Sequence, residues 1–514
     1  MRIFNNSVRW IFIGSLFLHC SCKNYNTNQK EQPNILMVIL DDHSYPYASA
    51  YGSEMVRTPA FDQVAESGVC FTNAFVTSPG CSPSRASLLT GRFPWQIEEA
   101  GTHASSFPAK YITYTTKFEQ AGYKVGFTGK GWGPGDWKIS GRLCNPAGYE
   151  YNEVRLSPPT EGISKIDYTA NFSDFLNDRK ANEPFCFWVG IKEPHRIFEE
   201  GSALRAGSLH SDAEVPGYLP DVKEVQSDIL DYGLEIEWAD KHLGNILTIL
   251  EEQQLLENTI IIVTADNGMA FPRAKSNCYE AGVHVPLVID WGNKISHRIE
   301  KNVFSTVHLM PTLLEAAQID FSNTHLPMEG SSILEILLGN KLENPAMGVA
   351  YSGRERHTSA RFNNLGYPIR AMRTNDYLII RNFEADRWPA GDTLLLADDG
   401  QQLRPIEDVF CDIDGSPTKQ YLIQNRDKEK INNYYQMAVE KRPEWELYNI
   451  KKDPDCLVNL SRVHEHRSVF KSLSNQMNNY LIQTQDPRMM KDTYELYETY
   501  PRLRGKIRNF LEEK

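Results

Sequence analysis

Cys81, Pro83 and Arg85 stand two residues apart in Cys81-Ser82-Pro83-Ser84-Arg85-Ala86-Ser87-Leu88-Leu89-Thr90-Gly91-Arg92, bringing a thiol, a rigid ring and a guanidinium to the start of a short apolar run. A thiol at or just before a helix N-terminus occupies a position that favours an anion, because free N–H groups and the helix dipole converge there. Taken alone, Cys81 reads more readily as a buried core cysteine. Its surroundings have to decide.

Two apolar runs end in oxygen-bearing pairs. Asn34–Leu40 leads into Asp41-Asp42, and the β-branched Thr259–Ala265 leads into Asp266-Asn267-Gly268. Adjacent carboxylates repel unless a cation or paired donors compensate. Four oxygen ligands with no thiolate or imidazole suit calcium or magnesium rather than zinc or copper. A helix cap by Asp42 or Ser44 is the alternative use of the first pair. Three further groups stand at comparable places: Lys130 between Gly129 and Gly131, His195 after Phe185–Val189, and Lys275 after Pro272-Arg273-Ala274. A histidine titrating near neutrality can serve as general acid or base, although an isolated one is more often structural.

These groups need elements that hold them at one edge. The near-continuous apolar runs read as parallel strands covered on both faces, and open parallel sheets place ligands at the C-terminal ends of their strands. Lys124–Thr128 and Val285–Ile289 add strands, and Val349–Ser352 is a last one before Arg354-Glu355-Arg356-His357. Helices are expected from Pro59 to Glu66, Ile112 to Ala121 and Thr306 to Ala317. A long amphipathic helix is expected from Val225 to Glu251, with Ile236 off its stripe and its charged residues on a solvated face. Beyond Tyr367 short strands such as Tyr377–Ile380, broken by Pro, Asp and Gly, precede a helix near Val469–Gln485. The expected fold is α/β: a large mixed, mainly parallel sheet flanked by helices, with a smaller C-terminal α+β subdomain containing a short antiparallel sheet. The expected division is a signal peptide over 1–22, a tether over 23–32, a catalytic domain over 33–366 and a C-terminal subdomain over 367–514.

The 514 residues are 41% hydrophobic and 23% charged, near globular averages. A net charge of -12 argues against nucleic acid as a partner, so an anionic substrate must be met by a local basic pocket. Arg2 and Arg9, the apolar run Trp10–Leu18 and Cys20-Ser21-Cys22 read as an export segment, too short to span a bilayer, for which about 20 apolar residues are needed. Cys22 resembles a bacterial lipoprotein attachment cysteine; a cleaved signal without lipid is the other reading. The expectation is an exported, membrane-anchored periplasmic lipoprotein, with the outer membrane or cell surface as further addresses. The nine cysteines show no disulfide framework or zinc spacing, and most read as core.

The ordered motifs resemble the formylglycine-dependent sulfatases of the alkaline-phosphatase-like superfamily. The resemblance rests on Cys81-x-Pro83-x-Arg85 with Leu89-Thr90-Gly91-Arg92, Pro33-Asn34-Ile35 with Asp41-Asp42, Gly122-Tyr123 to Gly129-Lys130, Pro194-His195 and Asp266-Asn267-Gly268. It extends to Glu446-Leu447-Tyr448-Asn449-Ile450 with Asp453-Pro454 and Asn459-Leu460. It implies that a maturation enzyme oxidises Cys81 to formylglycine (3-oxoalanine), the nucleophile and itself a metal contact. It further implies that Asp41, Asp42, Asp266 and Asn267 bind one Ca2+, that Arg85 and Lys130 hold the hydrated aldehyde, that Lys275 neutralises sulfate charge, and that His195 protonates the leaving oxygen. A geminal diol suits this role better than a thiol, since one hydroxyl can attack sulfur and the other can help expel sulfate.

One departure stands out. Many sulfatases carry Gly-Lys-x-His where this chain reads Gly129-Lys130-Gly131-Trp132, and Trp132 cannot accept a proton. His103, or water, is the expected substitute. Pro194-His195-Arg196, Asp266-Asn267-Gly268-x-x-Phe271-Pro272 and Asn277-x-Tyr279 resemble the heparan N-sulfatase (sulfamidase) branch and its bacterial polysaccharide-sulfatase relatives. The expected activity is sulfate-ester hydrolysis on a sulfated polysaccharide such as ulvan, with N-sulfoglucosamine hydrolysis as the alternative. A phosphohydrolase or a non-catalytic glycan-binding lipoprotein would be outcomes of other classes. Arg354, Arg356, His357 and Arg387 are candidate substrate contacts, since arginine pairs with carboxylate or sulfate in bidentate fashion.

Overall fold

Asn34–Leu40 (β1) is buried at all seven positions. Ile35, Met37 and Ile39 enter one hydrophobic core while Leu36, Val38 and Leu40 enter another, so neither face could be polar, as in a sheet packed on both sides. The computed structural model describes residues 1, 32–321, 328–341 and 347–512. The proposed lipid-bearing Cys22 lies outside the described residues.

Eight further strands complete the main sheet: β2 (Val69–Phe75), β3 (Lys124–Gly129), β4 (Tyr149–Glu150), β5 (Phe185–Ile191), β6 (Thr259–Ala265), β7 (His284–Asp290), β8 (Arg298–Glu300) and β9 (Phe304–Ser305). Their order is β4-β3-β5-β1-β6-β7-β2-β8, with β9 pairing β2. Neighbours from β4 to β6 run parallel, and β7 runs antiparallel to both β6 and β2. This is the mixed, mainly parallel sheet expected. Helices cover it, among them Pro59–Ser67, Tyr168–Asn177 and the 30-residue Lys223–Glu252.

The long helix departs from expectation on its polar side. Asp228, Asp231, Glu235, Asp240 and His242 are buried rather than solvated, and Ile236 is buried as well. Asp228 accepts two hydrogen bonds from Arg196 at 2.7 and 2.8 Å, and Asp240 accepts from the Ala60 and Phe61 N–H groups at the start of the Pro59 helix. Later segments wrap the helix on a second side, so Ile236 packs with Leu422 and Ile423 in a third core. One amphipathic period cannot announce two buried faces.

The second sheet is antiparallel, in the order β10 (Val349–Arg354), β11 (Ile369–Thr374), β12 (Tyr377–Asn382), β13 (Trp445–Asn449). Here the expectation for Val349–Ser352 is corrected: this strand opens the small sheet, pairing Ser352 with Ala371, instead of closing the large one. The expected boundary at 366/367 therefore falls between two paired strands, and residues 33–514 form one compact unit. Met372, Ile379 and Leu447 pack on Met477 and Leu481 of the helix Arg467–Gln483. Ala371, Leu378, Ile380 and Tyr448 pack on Cys278 and Tyr279, which ties the small sheet to the loop carrying Lys275. Cys70, Cys81, Cys186, Cys278 and Cys456 are buried and free, and Cys144 and Cys411 are half-buried and free. Among the described residues no helix is long and apolar enough to cross a membrane.

Candidate active site

Strand register brings the polar residues to one level. Leu40 pairs with both Ile191 and Ala265, and Gly129 pairs with Gly190, so β3, β5, β1 and β6 end together. The ladder runs one residue further, the Asp41 N–H donating to the Ile191 carbonyl at 3.1 Å and the Asp266 N–H to the Leu40 carbonyl at 3.2 Å. Asp41, Asp266 and Lys130 therefore leave the sheet at one level, with the β5 exit between Lys130 and Asp41. Gly129, with φ 75°, is required there, because a Cβ on it would lie 2.0 Å from the Gly190 oxygen. Asp42 turns off its strand with φ 68°, a left-handed conformation uncommon for a non-glycine residue and frequent at functional sites.

Cys81 is the first residue of the buried helix Cys81–Thr90, which Gly80 precedes in extended conformation and Gly91, at φ 62°, ends in a left-handed cap. Its Sγ, one Asp41 oxygen and one Asp266 oxygen all lie within 4.8 Å of one another. Burial pushes the Cys81 thiol up to about 11 against the opposing pull of Lys130, so an unmodified thiol there stays protonated at neutral pH and is a poor nucleophile.

Arg85 is fully buried. Its Nε donates to Asp266 Oδ2 at 2.6 Å and its Nη1 to the Lys130 carbonyl at 2.6 Å, while Nη2 stands 3.9 Å from Asp41 Oδ1. It thus spaces the carboxylates and the β3 exit. Lys130 Nζ donates to Asp41 Oδ2 at 2.6 Å, and Lys275 Nζ to Asp42 Oδ2 at 2.6 Å. Burial opposes ionisation of Asp41, but Lys130, His195 and Arg85 outweigh it and hold the carboxyl well below the ordinary range. Burial pushes the Asp266 carboxyl up to about 6 even though Arg85 opposes it, with the Asp41 charge adding to the rise.

The donor set fits a hard divalent cation. Asp41 Oδ1 and Asn267 Oδ1 are buried without a hydrogen-bond partner. The Asn267 amide is oriented by Nδ2, which donates to Asp42 Oδ1 at 2.7 Å and leaves its carbonyl oxygen free. Orphaned buried oxygens are costly, and crowded carboxylates call for a countercharge. Asp41, Asp42, Asp266 and Asn267, with the position 81 side chain, would hold such an ion.

Half-buried His195 stands beside Asp42, its Nε2 3.9 Å from Asp42 Oδ2. Its Nδ1 is 2.6 Å from the Arg196 carbonyl. A carbonyl can only accept, so Nδ1 carries a proton and Nε2 is the position that gains or loses one.

His103 is buried with Nε2 3.3 Å from Cys81 Sγ. Burial, then the neighbouring His357 and Arg502, hold its imidazole well below the usual histidine range, in the neutral form. Trp132, where a histidine stands in many sulfatases, donates its indole N–H to the Ser82 carbonyl at 3.0 Å and so braces the first turn of the Cys81 helix.

Residues 33–319 match the family model described as Sulfatase. The chain belongs to the sulfatase family. It is a sulfatase similar to an ulvan-active sulfatase of Formosa agariphila, 26% identical over 489 residues and covering 91% of this chain and 86% of the relative. It is also similar to human N-sulphoglucosamine sulphohydrolase, 24% identical over 495 residues with 88% and 91% covered. A solved structure described as holding its substrate D-glucosamine-2-N,6-O-disulfate shares the fold with a TM-score of 0.62 at 19% identity, covering 88% of this chain and 98% of that one. The alkaline-phosphatase-like fold and the sulfuric ester hydrolase class follow.

The candidate substrate contacts of this sulfatase divide. His357 is buried beside His103, its ring stacked on that of His103 with centroids 4.4 Å apart, and its Nδ1 would be 3.4 Å from a Cβ on Gly80. Arg356 is buried behind it, its carbonyl accepting from the His103 N–H at 3.2 Å. Arg354 and Arg387 have other work: Arg354 is buried against Asp412 and the Ser276 carbonyl, and Arg387 bonds Glu498 and the Gly366 carbonyl at 2.8 and 2.9 Å. The guanidinium groups of both are thus engaged by protein partners.

Two residues escaped sequence reading. Asp414 Oδ2 lies 3.3 Å from Lys275 Nζ, and although burial opposes it, Lys275, His195 and His357 hold its carboxyl down at about 2. It comes from an irregular loop with no motif. Arg502 reaches the His357 carbonyl at 2.9 Å from near the C-terminus; only its alternation with Arg504, Lys506 and Arg508 could have drawn attention to it.

Proposed function

We propose that this sulfatase hydrolyses sulfate esters on a sulfated polysaccharide or its oligosaccharides, using formylglycine made from Cys81 by a maturation enzyme and one Ca2+ held by Asp41, Asp42, Asp266 and Asn267. The observation that carries the reading is the gathering of Cys81, those four oxygen donors, Lys130, Lys275 and His195 at one sheet edge. When present, the cation and the hydrated aldehyde supply charge withdrawal from sulfate oxygens and an ionisable oxygen nucleophile in place of a protonated thiol.

The remaining work falls to the chain. Lys130 and Lys275, each on a different aspartate, present fixed positive charge to an anionic substrate inside a net acidic protein. Arg85 keeps Asp41 and Asp266 apart and holds the Lys130 backbone, a positioning role. With Nδ1–H pinned to the Arg196 carbonyl, a protonated His195 offers the proton on Nε2 to a leaving sugar oxygen. Asp414 adds a negative charge beside Lys275, 3.3 Å from its Nζ. His103 Nε2 stands ready to accept a proton from the side chain at position 81.

Similarity to an ulvan-active sulfatase over most of the chain supports a polysaccharide O-sulfate as substrate, and similarity to the human N-sulphoglucosamine enzyme keeps sulfamate hydrolysis as the second reading. Desulfation assays on ulvan oligosaccharides and on N-sulfoglucosamine, with matured enzyme, separate the two; activity confined to N-sulfoglucosamine would overturn the first. We also propose export as a lipoprotein anchored through Cys22, supported by the apolar run and the cysteine after Ser21. Loss of metabolic fatty-acid label and of membrane association in Cys22→Ala is the expected result.

A further inference from the structure

The segment Pro501-Arg502-Leu503-Arg504-Gly505-Lys506-Ile507-Arg508 sets a cation at every second position. It is stitched to the chain segment that follows His103. The Leu503 N–H donates to the Ala104 carbonyl and Ser105 Oγ donates to the Pro501 carbonyl, both at 2.7 Å. Arg502 Nη1 donates to the His357 carbonyl at 2.9 Å, and the Arg508 N–H donates to Ser359 Oγ at 2.9 Å.

The cations differ in their partners. Arg504 lies 3.7 Å from Asp136 and Lys506 pairs with Asp398, both on exposed side chains, where such pairs contribute little. Arg502 and Arg508, with Arg356 behind them, have no carboxylate within ion-pair distance among the described residues; they bond only carbonyls, or nothing. Arg356 is 3% exposed, and its Nε and Nη2, like the Nε of Arg502, have no hydrogen-bond partner. The acids around them are taken: Glu355 by Arg370 and Arg488, Glu498 by Arg387 and Arg488, Asp412 by Arg354 and Arg361. Burial, followed by repulsion from Arg356, lowers the Arg502 guanidinium to about 10. Asp412 lies near Arg502, and Glu498 and Glu355 near Arg356, but none reaches ion-pair distance, so the three guanidinium groups carry an electrostatic cost that a directly bound anion would relieve.

We propose that Arg502, Arg508 and Arg356 form a subsite for a second anionic group, a carboxylate or sulfate, on the sugar next to the one being desulfated. The proposal rests on the polysaccharide reading of the neighbouring site at position 81 and narrows it to an acidic glycan. Guanidinium groups pair with both anions in bidentate geometry. The segment lies beside His357 and His103 and contributes nothing to the metal set, so its effect is read in binding, apart from its influence on the His103 imidazole.

The test is calorimetric binding of the full-length protein to a sulfated, uronate-containing tetrasaccharide, to its carboxyl-reduced form, and to a neutral unsulfated tetrasaccharide. Wild type should bind the acidic form most tightly, and Arg502→Gln and Arg508→Gln should each weaken it about tenfold, with a shallower salt dependence. Arg502→Lys should retain most of the affinity. Loss of the variants' effect on the carboxyl-reduced sugar assigns the subsite to carboxylate; its persistence assigns it to sulfate. Equal wild-type affinity for acidic and neutral sugars, unchanged affinity in both variants, or equal loss for all three sugars would overturn the proposal. Arg508→Gln covers the case in which Arg502→Gln fails to fold. Turnover is not needed here, so protein that binds the acidic sugar but never desulfates it would defeat the proposed function and leave the subsite standing. Desulfation with both variants unchanged would do the reverse.

Discussion

His103 Nε2 lies 3.3 Å from Cys81 Sγ, with both side chains buried and the indole of Trp132 turned away to the Ser82 carbonyl. A histidine from another segment thus lies within hydrogen-bond reach of position 81, where Trp132 offers no proton acceptor. His103→Ala should lower kcat by about 10²–10⁴-fold, the range for a general acid or base, with KM little changed. Steady-state kinetics on matured enzyme check this, and an unchanged kcat would sink the assignment.

Cys81, with its thiol pushed up to about 11, should be inert unless oxidised. Protein made in a host without a maturation enzyme should carry the thiol mass in the peptide containing Cys81 and have no sulfatase activity. Protein co-expressed with one should show the aldehyde mass and turn over. Full activity with an unmodified thiol would contradict this reading.

Chelation should act on stability as well as activity. Asp41 Oδ1 and Asn267 Oδ1 lack partners, and Asp41 and Asp266 crowd each other. Removing a divalent ion should therefore lower Tm, and added Ca2+ should restore it in proportion to ligand binding. In Asn267→Ala the Ca2+-dependent rise in Tm should shrink. Calorimetry with and without chelator reads the effect, and a Tm indifferent to both would argue against an ion at this edge.

The role of His195 depends on the leaving group. A sugar alkoxide needs a proton, whereas a nitrophenolate leaves without one, so His195→Ala should cost about 10²-fold or more on a sugar sulfate and far less on an aryl sulfate. Equal losses on the two substrates would move His195 from acid to positioning residue.

Glu235, deep in the long helix, has both carboxylate oxygens buried without partners, and burial, with help from Glu193, pushes it up to about 9. The folded protein then holds a proton that the unfolded chain releases above its ordinary value of 4.5. Stability should fall as pH rises between those two values, by about 1.4 kcal/mol per pH unit for one proton. Glu235→Gln should remove that slope and be the more stable protein at alkaline pH. Urea unfolding at mildly acidic and alkaline pH measures it.

Much of the site could be read before any coordinates. Asp41-Asp42 and Asp266-Asn267 follow runs so apolar and β-branched that they had to be buried strands, and strand ends are where a parallel sheet exposes polar groups. Cys81 with Pro83 and Arg85 carried its own signature, and Lys130 and His195 stood at further strand exits. These are local facts: residue type, spacing and the end of an apolar run.

Tertiary structure decided the rest, because distance across the chain leaves no period in the sequence. Only the folded protein sets His103 against Cys81, puts Asp414 beside Lys275, and buries Asp228, Asp231 and Glu235 on a helix face that looked solvated. Val349–Arg354 could have joined either sheet, since a short apolar strand does not name its partner; register with Ile369–Thr374 chose the small one. Arg354 pairs with Asp412, from a loop 58 residues away, a partner that no local pattern names. The chemistry at each strand end was written locally, whereas which charges are answered and which remain open depends on packing between distant segments.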